Sequence, residues 1–297
     1  MRHILTYKLF EGGNALELAR PIKQSEVAGT LETLEDVIFP SLGLSGFNVD
    51  CMVIGSAGKK KDPNDESGDI DIGFAVDKFA ERHGINESQA LKYLYDQLKR
   101  EFPIFESRWL RGLEVVSFGY PIANDPGKGY VQIDFIPVKD MKWAKFIYRS
   151  PDYKNDESKY KSAHRNWLFA AIISQIIEDE ELDIDGNKLA YSGYMMKLND
   201  GLSKIKKSYV GKTGILKNPK KIEDVPVTKN PQEFVKFLFG QGIKPNDVRT
   251  FEDAWRIMTD PNFRWSDKLD DIKTALVDFL RRAKLTIPVE LKDTDGK

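Results

Sequence analysis

Val53–Phe74 reads VIGSAGKKKDPNDESGDIDIGF: an apolar run ends at Gly55, turns through Ser56 and the lysines Lys59, Lys60 and Lys61, and returns as Asp69-Ile70-Asp71-Ile72. Residues two apart on a strand share a face, so Asp69 and Asp71 project together while Ile70 and Ile72 face the core. Two carboxylates about 4 Å apart repel by roughly 4 kcal/mol at an effective dielectric of 20. A divalent cation offsets that, because Mg²⁺ is bound by one or two carboxylates together with substrate phosphates. A third acid, Asp134, interrupts the apolar run VQIDFIPV, where an aspartate without a partner is costly. Mg²⁺ or Mn²⁺ is the expected cofactor, with Asp69, Asp71 and Asp134 as its ligands. The plainer alternatives are a solvated strand face for the Asp-x-Asp pair and a hairpin-edge position for Asp134.

Two look-alike motifs fail on inspection. A calcium loop begun at Asp62 would put Ser67 at the glycine position and Gly73 at the bidentate glutamate position. The VGKTG run at Val210–Gly214 lacks the upstream glycine of a phosphate loop, since Lys206 stands there.

The elements that must position these residues are visible in outline. Apolar Val27, Leu31, Leu34, Val37 and Ile38 recur at helical spacing after Ser25, with a stop near Pro40. Phe47 to Ile54 reads as a strand buried on both faces, and Asp69 to Val76 as a second strand. Asn86 to Phe102 is a helix with Asn86 and Gln89 as a capping box. LEVVSFGYPI and GYVQIDFIPV are β-rich runs joined by ANDPGKG, a hairpin or a lid loop. Beyond about residue 150 helices dominate: Ser162 to Asp179, a start at Asn230-Pro231, another at Thr250 with Asp253, and a third after Ser266. The expected fold is α+β, with a small mixed-sheet domain over residues 1–150 and a mostly helical domain over residues 151–297.

Composition narrows the function classes. The 297 residues carry 45 basic and 46 acidic side chains, so no global field points to nucleic acid or membrane. Cys51 is the only cysteine, which excludes an internal disulfide and a cysteine-based zinc site. No run of eighteen apolar residues and no signal peptide is present. The expectation is a cytoplasmic protein without a membrane or disulfide partner. Locally the balance breaks: Ser203–Lys221 holds seven lysines and no acid. Lys206, Lys207, Tyr209 and Lys212 are candidate contacts to RNA or single-stranded nucleic acid, lysines for phosphates and the tyrosine for a base. A solvated lysine loop is the alternative.

The combination of an apolar strand ending in Gly55-Ser56, Asp69-x-Asp71 and a later strand bearing Asp134 resembles the DNA polymerase β-like nucleotidyltransferase superfamily. SGDID is similar to the corresponding segment of family X polymerases, VQIDFIPV looks like their third-aspartate strand, and the resemblance spans roughly residues 47–175. FEGGNAL, near the start, is similar to nucleotidyltransferase-domain proteins of large tailed phages. The resemblance implies a palm-like sheet and transfer of a nucleotide from a nucleoside triphosphate to an acceptor hydroxyl, with pyrophosphate leaving. It implies that Gly55, Ser56, Lys59 and Lys60 hold the triphosphate and that the three aspartates hold two metals, Asp134 helping to remove the hydroxyl proton. Arg165, beside His164 at a helix start, is a further candidate phosphate ligand. No helix-hairpin-helix precedes Gly55, so templated DNA synthesis is not implied. The acceptor is a polynucleotide 3′ end, a small molecule or a protein; a non-catalytic nucleotide-binding module is the alternative of a different class.

Overall fold

The computed structural model describes residues 15–111, 114–148, 158–182, 188–211 and 214–294. The chain forms two units, Met1–Glu157 and Ser158–Lys297, a boundary seven residues beyond the expected one at 150. The architecture is α+β.

In the first unit, α1 (Gln24–Ser41) buries Val27, Leu34, Ile38 and Phe39, the face its apolar spacing marks, and Pro40 lies in its last turn. β1 (Cys51–Ile54) is buried at every position. It begins later than Phe47 because Gly46 and Asn48 adopt positive φ in the preceding turn. β2 (Asp69–Ala75) passes directly into α2 (Val76–His83), a helix with no turn residue to announce it. The capping box of Asn86 and Gln89 opens a short 3₁₀ turn that leads into α3 (Ala90–Glu101). β3 (Ser107–Leu110), β4 (Val115–Pro121), β5 (Tyr130–Val138) and α4 (Met141–Tyr148) complete the unit.

The sheet order is β1-β2-β5-β4-β3, with β2 and β5 parallel and every other pair antiparallel. ANDPGKG therefore closes a β4–β5 hairpin. One face carries Ile70, Ile72, Phe74, Ile133 and Phe135 into the main core with Leu34 and Ile38 of α1 and Leu94 and Leu98 of α3. Below the other face, Met52, Ile54, Ile136 and Val138 form a smaller core with Ala144 of α4. Asp71 and Asp134 lie on this second face, beyond the end of the small core.

Asp50 anchors the entry to β1. It is 2% exposed and takes a 2.6 Å ion pair from Arg82 and a 2.9 Å hydrogen bond from the Ser45 amide. Burial works to raise its carboxyl pKa, but the Arg82 and Ser45 hydrogen bonds outweigh it and hold the group below its usual range. Its contribution is complete above the ordinary carboxylate range and is lost as pH falls through the lowered folded value. Asp50→Ala is expected to cost about 2–4 kcal/mol. Urea melts at pH 7 and pH 3 check this: the gap between variant and parent should narrow in acid.

The second unit departs from the mostly helical expectation. α5 (Ser162–Ser174) ends five residues before Asp179, and four antiparallel strands follow: β6 (Ile177–Leu182), β7 (Lys188–Lys197), β8 (Gly201–Gly211) and β9 (Gly214–Thr228), in the order β9-β8-β7-β6. The four successive acids Glu178–Glu181 lie on an edge strand that is exposed at every position, with a break in register between Ile177 and Asp179. α6 (Pro231–Phe239), capped by Asn230, α7 (Phe251–Met258), opened by the Thr250–Asp253 box, and α8 (Leu269–Ala283) match their expected starts. No helix among the described residues is long and apolar enough to cross a membrane.

Candidate metal centre

Parallel pairing of β2 with β5 places Asp71 directly opposite Asp134 and Asp69 opposite Gln132. The two strands are neighbours in register, so acids 63 positions apart in sequence become adjacent on one face. Asp69, Asp71 and Asp134 each offer a carboxylate oxygen, and these oxygens all lie within 4.8 Å of one another. Oxygens bound to one octahedral Mg²⁺ at about 2.1 Å are separated by ~3–4 Å, so small side-chain movements bring this set onto a cation. Three carboxylates and no nitrogen or sulfur suit a hard cation, Mg²⁺ or Mn²⁺. The residues fit the expected metal.

The electrostatics point the same way. Burial, and then the charges of Asp69 and Asp134, push the Asp71 carboxyl well above its usual range; Lys59 works against the shift. Asp134 is 8% exposed, and burial raises its carboxyl too, opposed by the polar side chains of Ser117 and Gln132. Ser117 faces Asp134 across the β4–β5 pair. Gln132 donates its Nε2 to both Asp134 oxygens at 3.0 Å.

Gly55 lies against Asp71. Its φ is +72°, and a Cβ there would lie 2.0 Å from Asp71 Oδ2. The glycine just beyond β1 makes room for the Asp71 carboxylate. Ser56, just beyond, donates its hydroxyl to Ser67 Oγ at 3.1 Å, and Gln24 Nε2 donates to the same Ser67 oxygen at 3.0 Å. Lys59 Nζ reaches the Tyr148 carbonyl at 3.2 Å while its charge still acts on Asp71. Lys60 donates to the Glu66 carbonyl within the loop itself.

Other expected residues belong to the second unit. Arg165 is fully buried there, with Nη1 on the Arg249 carbonyl at 3.1 Å and its guanidinium 5.3 Å from the Phe169 ring centroid. It is a core residue of its own unit. His164 is likewise buried, with Nε2 at 3.0 Å from the Thr286 carbonyl.

The lysine-rich stretch is a hairpin in a sheet, not a loop. Lys206 pairs with Glu181 at 3.0 Å, Lys204 with Glu178, and Lys221 with Asp224. Ser192, opposite Lys206 on the intervening β7, is small and leaves Lys206 a path to Glu181, whereas Lys204 faces Tyr194, whose hydroxyl also donates to Glu178. Lys207 lies over the Tyr191 ring, and Tyr209 sits 6.3 Å from the same ring. Lys212 lies outside the described residues. A segment without acids in sequence is thus interleaved with acids in space.

Gln132 is the site residue that the pattern of acids did not reveal. Its signal was present: it stands two positions before Asp134 on the same strand, hence on the same face. Phe10–Asn14, of the FEGGNAL segment, lie outside the described residues. No protein-family model matches the chain, and no curated protein matches it.

Proposed function

We propose that the protein is a divalent-metal-dependent nucleotidyltransferase of the DNA polymerase β-like type, moving a nucleoside monophosphate from a nucleoside triphosphate to an acceptor hydroxyl. The observation that carries this reading is the convergence of Asp69, Asp71 and Asp134 on one sheet face beside the Gly55-Ser56 turn. Asp69, Asp71 and Asp134 would hold the Mg²⁺ or Mn²⁺, which when bound neutralises triphosphate charge and favours ionisation of the acceptor hydroxyl. Ser56 offers a hydroxyl and Lys59 a cation beside the aspartates, where phosphate oxygens would lie. Asp134 would help to take the proton of the acceptor hydroxyl. The new bond joins the acceptor oxygen to the α-phosphorus, the α–β anhydride bond breaks, and pyrophosphate carries away the electron pair. Rate then comes from positioning and charge neutralisation.

The acceptor separates two readings. Ion pairing of Lys204, Lys206 and Lys221 with neighbouring acids cancels much of the local excess that phosphate-backbone binding needs. That favours a small molecule or protein over a polynucleotide 3′ end. Incubation with each labelled NTP and dNTP, Mg²⁺ or Mn²⁺, and separated RNA, DNA, protein and small-molecule fractions tests the reading. Label should enter one fraction only when metal is present; no label in any fraction would refute it. Retardation of short single-stranded RNA is expected to be weak even at low salt and little changed by Lys206→Glu with Lys207→Glu. Tight retardation abolished by that pair would restore the polynucleotide acceptor.

A further inference from the structure

Gln132 is buried, 2% exposed, with both ends of its amide engaged. Nε2 donates to Asp134 Oδ1 and Oδ2 at 3.0 Å each, and Oε1 accepts from the Ala15 backbone N–H at 2.9 Å. The amide has one stable orientation. Turned over, it would set its oxygen against two carboxylate oxygens and its NH₂ against a backbone N–H, leaving buried polar groups unpaired on both sides. The backbone of Ala15 therefore fixes Oε1, Oε1 fixes Nε2, and Nε2 fixes the plane of the Asp134 carboxylate.

Resting on the metal-centre reading above, we propose that Gln132 is a positioning residue for the centre: it holds the third carboxylate in one orientation within the ligand set. Asp71 stands directly opposite Asp134, and Asp69 opposite Gln132 itself, so rotation of the Asp134 carboxylate would alter the spacing of the whole ligand set. Gln132 uses one lone pair on each Asp134 oxygen and leaves the others for the cation. Outer partners of this kind orient ligands, and their loss typically weakens metal binding about 10–100-fold.

The test is Mn²⁺ affinity of the full chain, measured by electron paramagnetic resonance of free Mn²⁺ with no nucleotide present. Gln132→Met keeps the side-chain volume and removes the donor. It is expected to keep the parent's unfolding temperature within a few degrees and to bind Mn²⁺ about 10–100-fold more weakly. In the Asp134→Asn background the same change should have no further effect, since the oriented carboxylate is already gone. If Gln132→Met does not fold, Gln132→Asn replaces it: the amide remains but is one methylene too short to span Ala15 and both Asp134 oxygens. A folded variant with parental Mn²⁺ affinity, or an equal loss in the Asp134→Asn background, overturns the inference while leaving the metal centre standing. A parent that binds no Mn²⁺ overturns the metal centre and the role of Gln132 with it.

Discussion

Asp71→Asn is expected to lower nucleotidyl transfer by ~10³-fold or more and, at neutral pH, to raise the melting temperature of the metal-free protein. The two effects share one cause. Asp71 is packed against Asp69 and Asp134, and burial together with their charges pushes its carboxyl well above the usual range. Between the ordinary carboxylate range and that raised value the folded chain binds more protons than the unfolded one. Stability therefore falls as pH rises through that window. Removing the charge relieves part of the repulsion of roughly 4 kcal/mol per carboxylate pair at an effective dielectric of 20, and each 1 kcal/mol regained is worth about 2–4 °C in a unit of this size. Differential scanning fluorimetry from pH 4 to 8, with and without Mn²⁺, checks the sign: the parent should lose stability with rising pH until Mn²⁺ is added, and the variant should depend less on either. Asp50 pulls the other way, because its lowered pKa removes stability in acid. Comparing Asp71→Asn with its own parent isolates the cluster from that background. A variant that melts below its parent at pH 7, or turns over normally with saturating Mg²⁺, would contradict the clustered-carboxylate account.

Gly55→Ala is expected to damage both fold and activity through a single methyl group. An alanine at φ +72° costs about 1–2 kcal/mol from backbone strain alone. Its Cβ would also stand 2.0 Å from Asp71 Oδ2, so strand end or carboxylate must shift. A displacement near 1 Å in a reacting group is worth ~10²-fold in rate. The expected result is a loss of ~1–3 kcal/mol in urea unfolding and about 10²-fold in kcat/KM. Gly58 provides the contrast: its φ is +73°, but a Cβ would meet only Val27 at 3.7 Å. Gly58→Ala should cost similar strain while sparing activity. Equal activity losses at both positions would assign the effect to loop conformation instead of to Asp71.

The site was more legible in the sequence than its supports. An aspartate inside an apolar strand is conspicuous, and period-two alternation assigns Asp69 and Asp71 to one face without knowledge of their neighbours. Pairing of β2 with β5 is a non-local fact, and nothing in the alternation of either strand specifies it. The role of Gly55 was hidden for the same reason: the atom that excludes a side chain there belongs to Asp71, sixteen positions away. In the second unit, Asp200-Gly201 between two runs is a hairpin signal, masked by the lysine run that follows it. α5 buries residues around most of its circumference, from His164 through Phe169, so its apolar pattern has no clear end, and Ile176 and Ile177 prolong it in sequence past the last helical turn. Capped helices fared better because their signals are local: Asn230-Pro231 and Thr250 with Asp253 carry their boundaries in a few adjacent residues.

Transfer of the α-phosphate is the central claim, and paired isotopic labelling tests it most directly. The protein is incubated with Mg²⁺ and the acceptor fraction and with NTP labelled at either the α- or the γ-phosphate, Asp71→Asn serving as the control. The account predicts acceptor labelling from the α-position only, inorganic pyrophosphate released from the γ-labelled substrate, and neither product with Asp71→Asn. Label reaching the acceptor from the γ-position, or α-label transferred equally by Asp71→Asn, would contradict it.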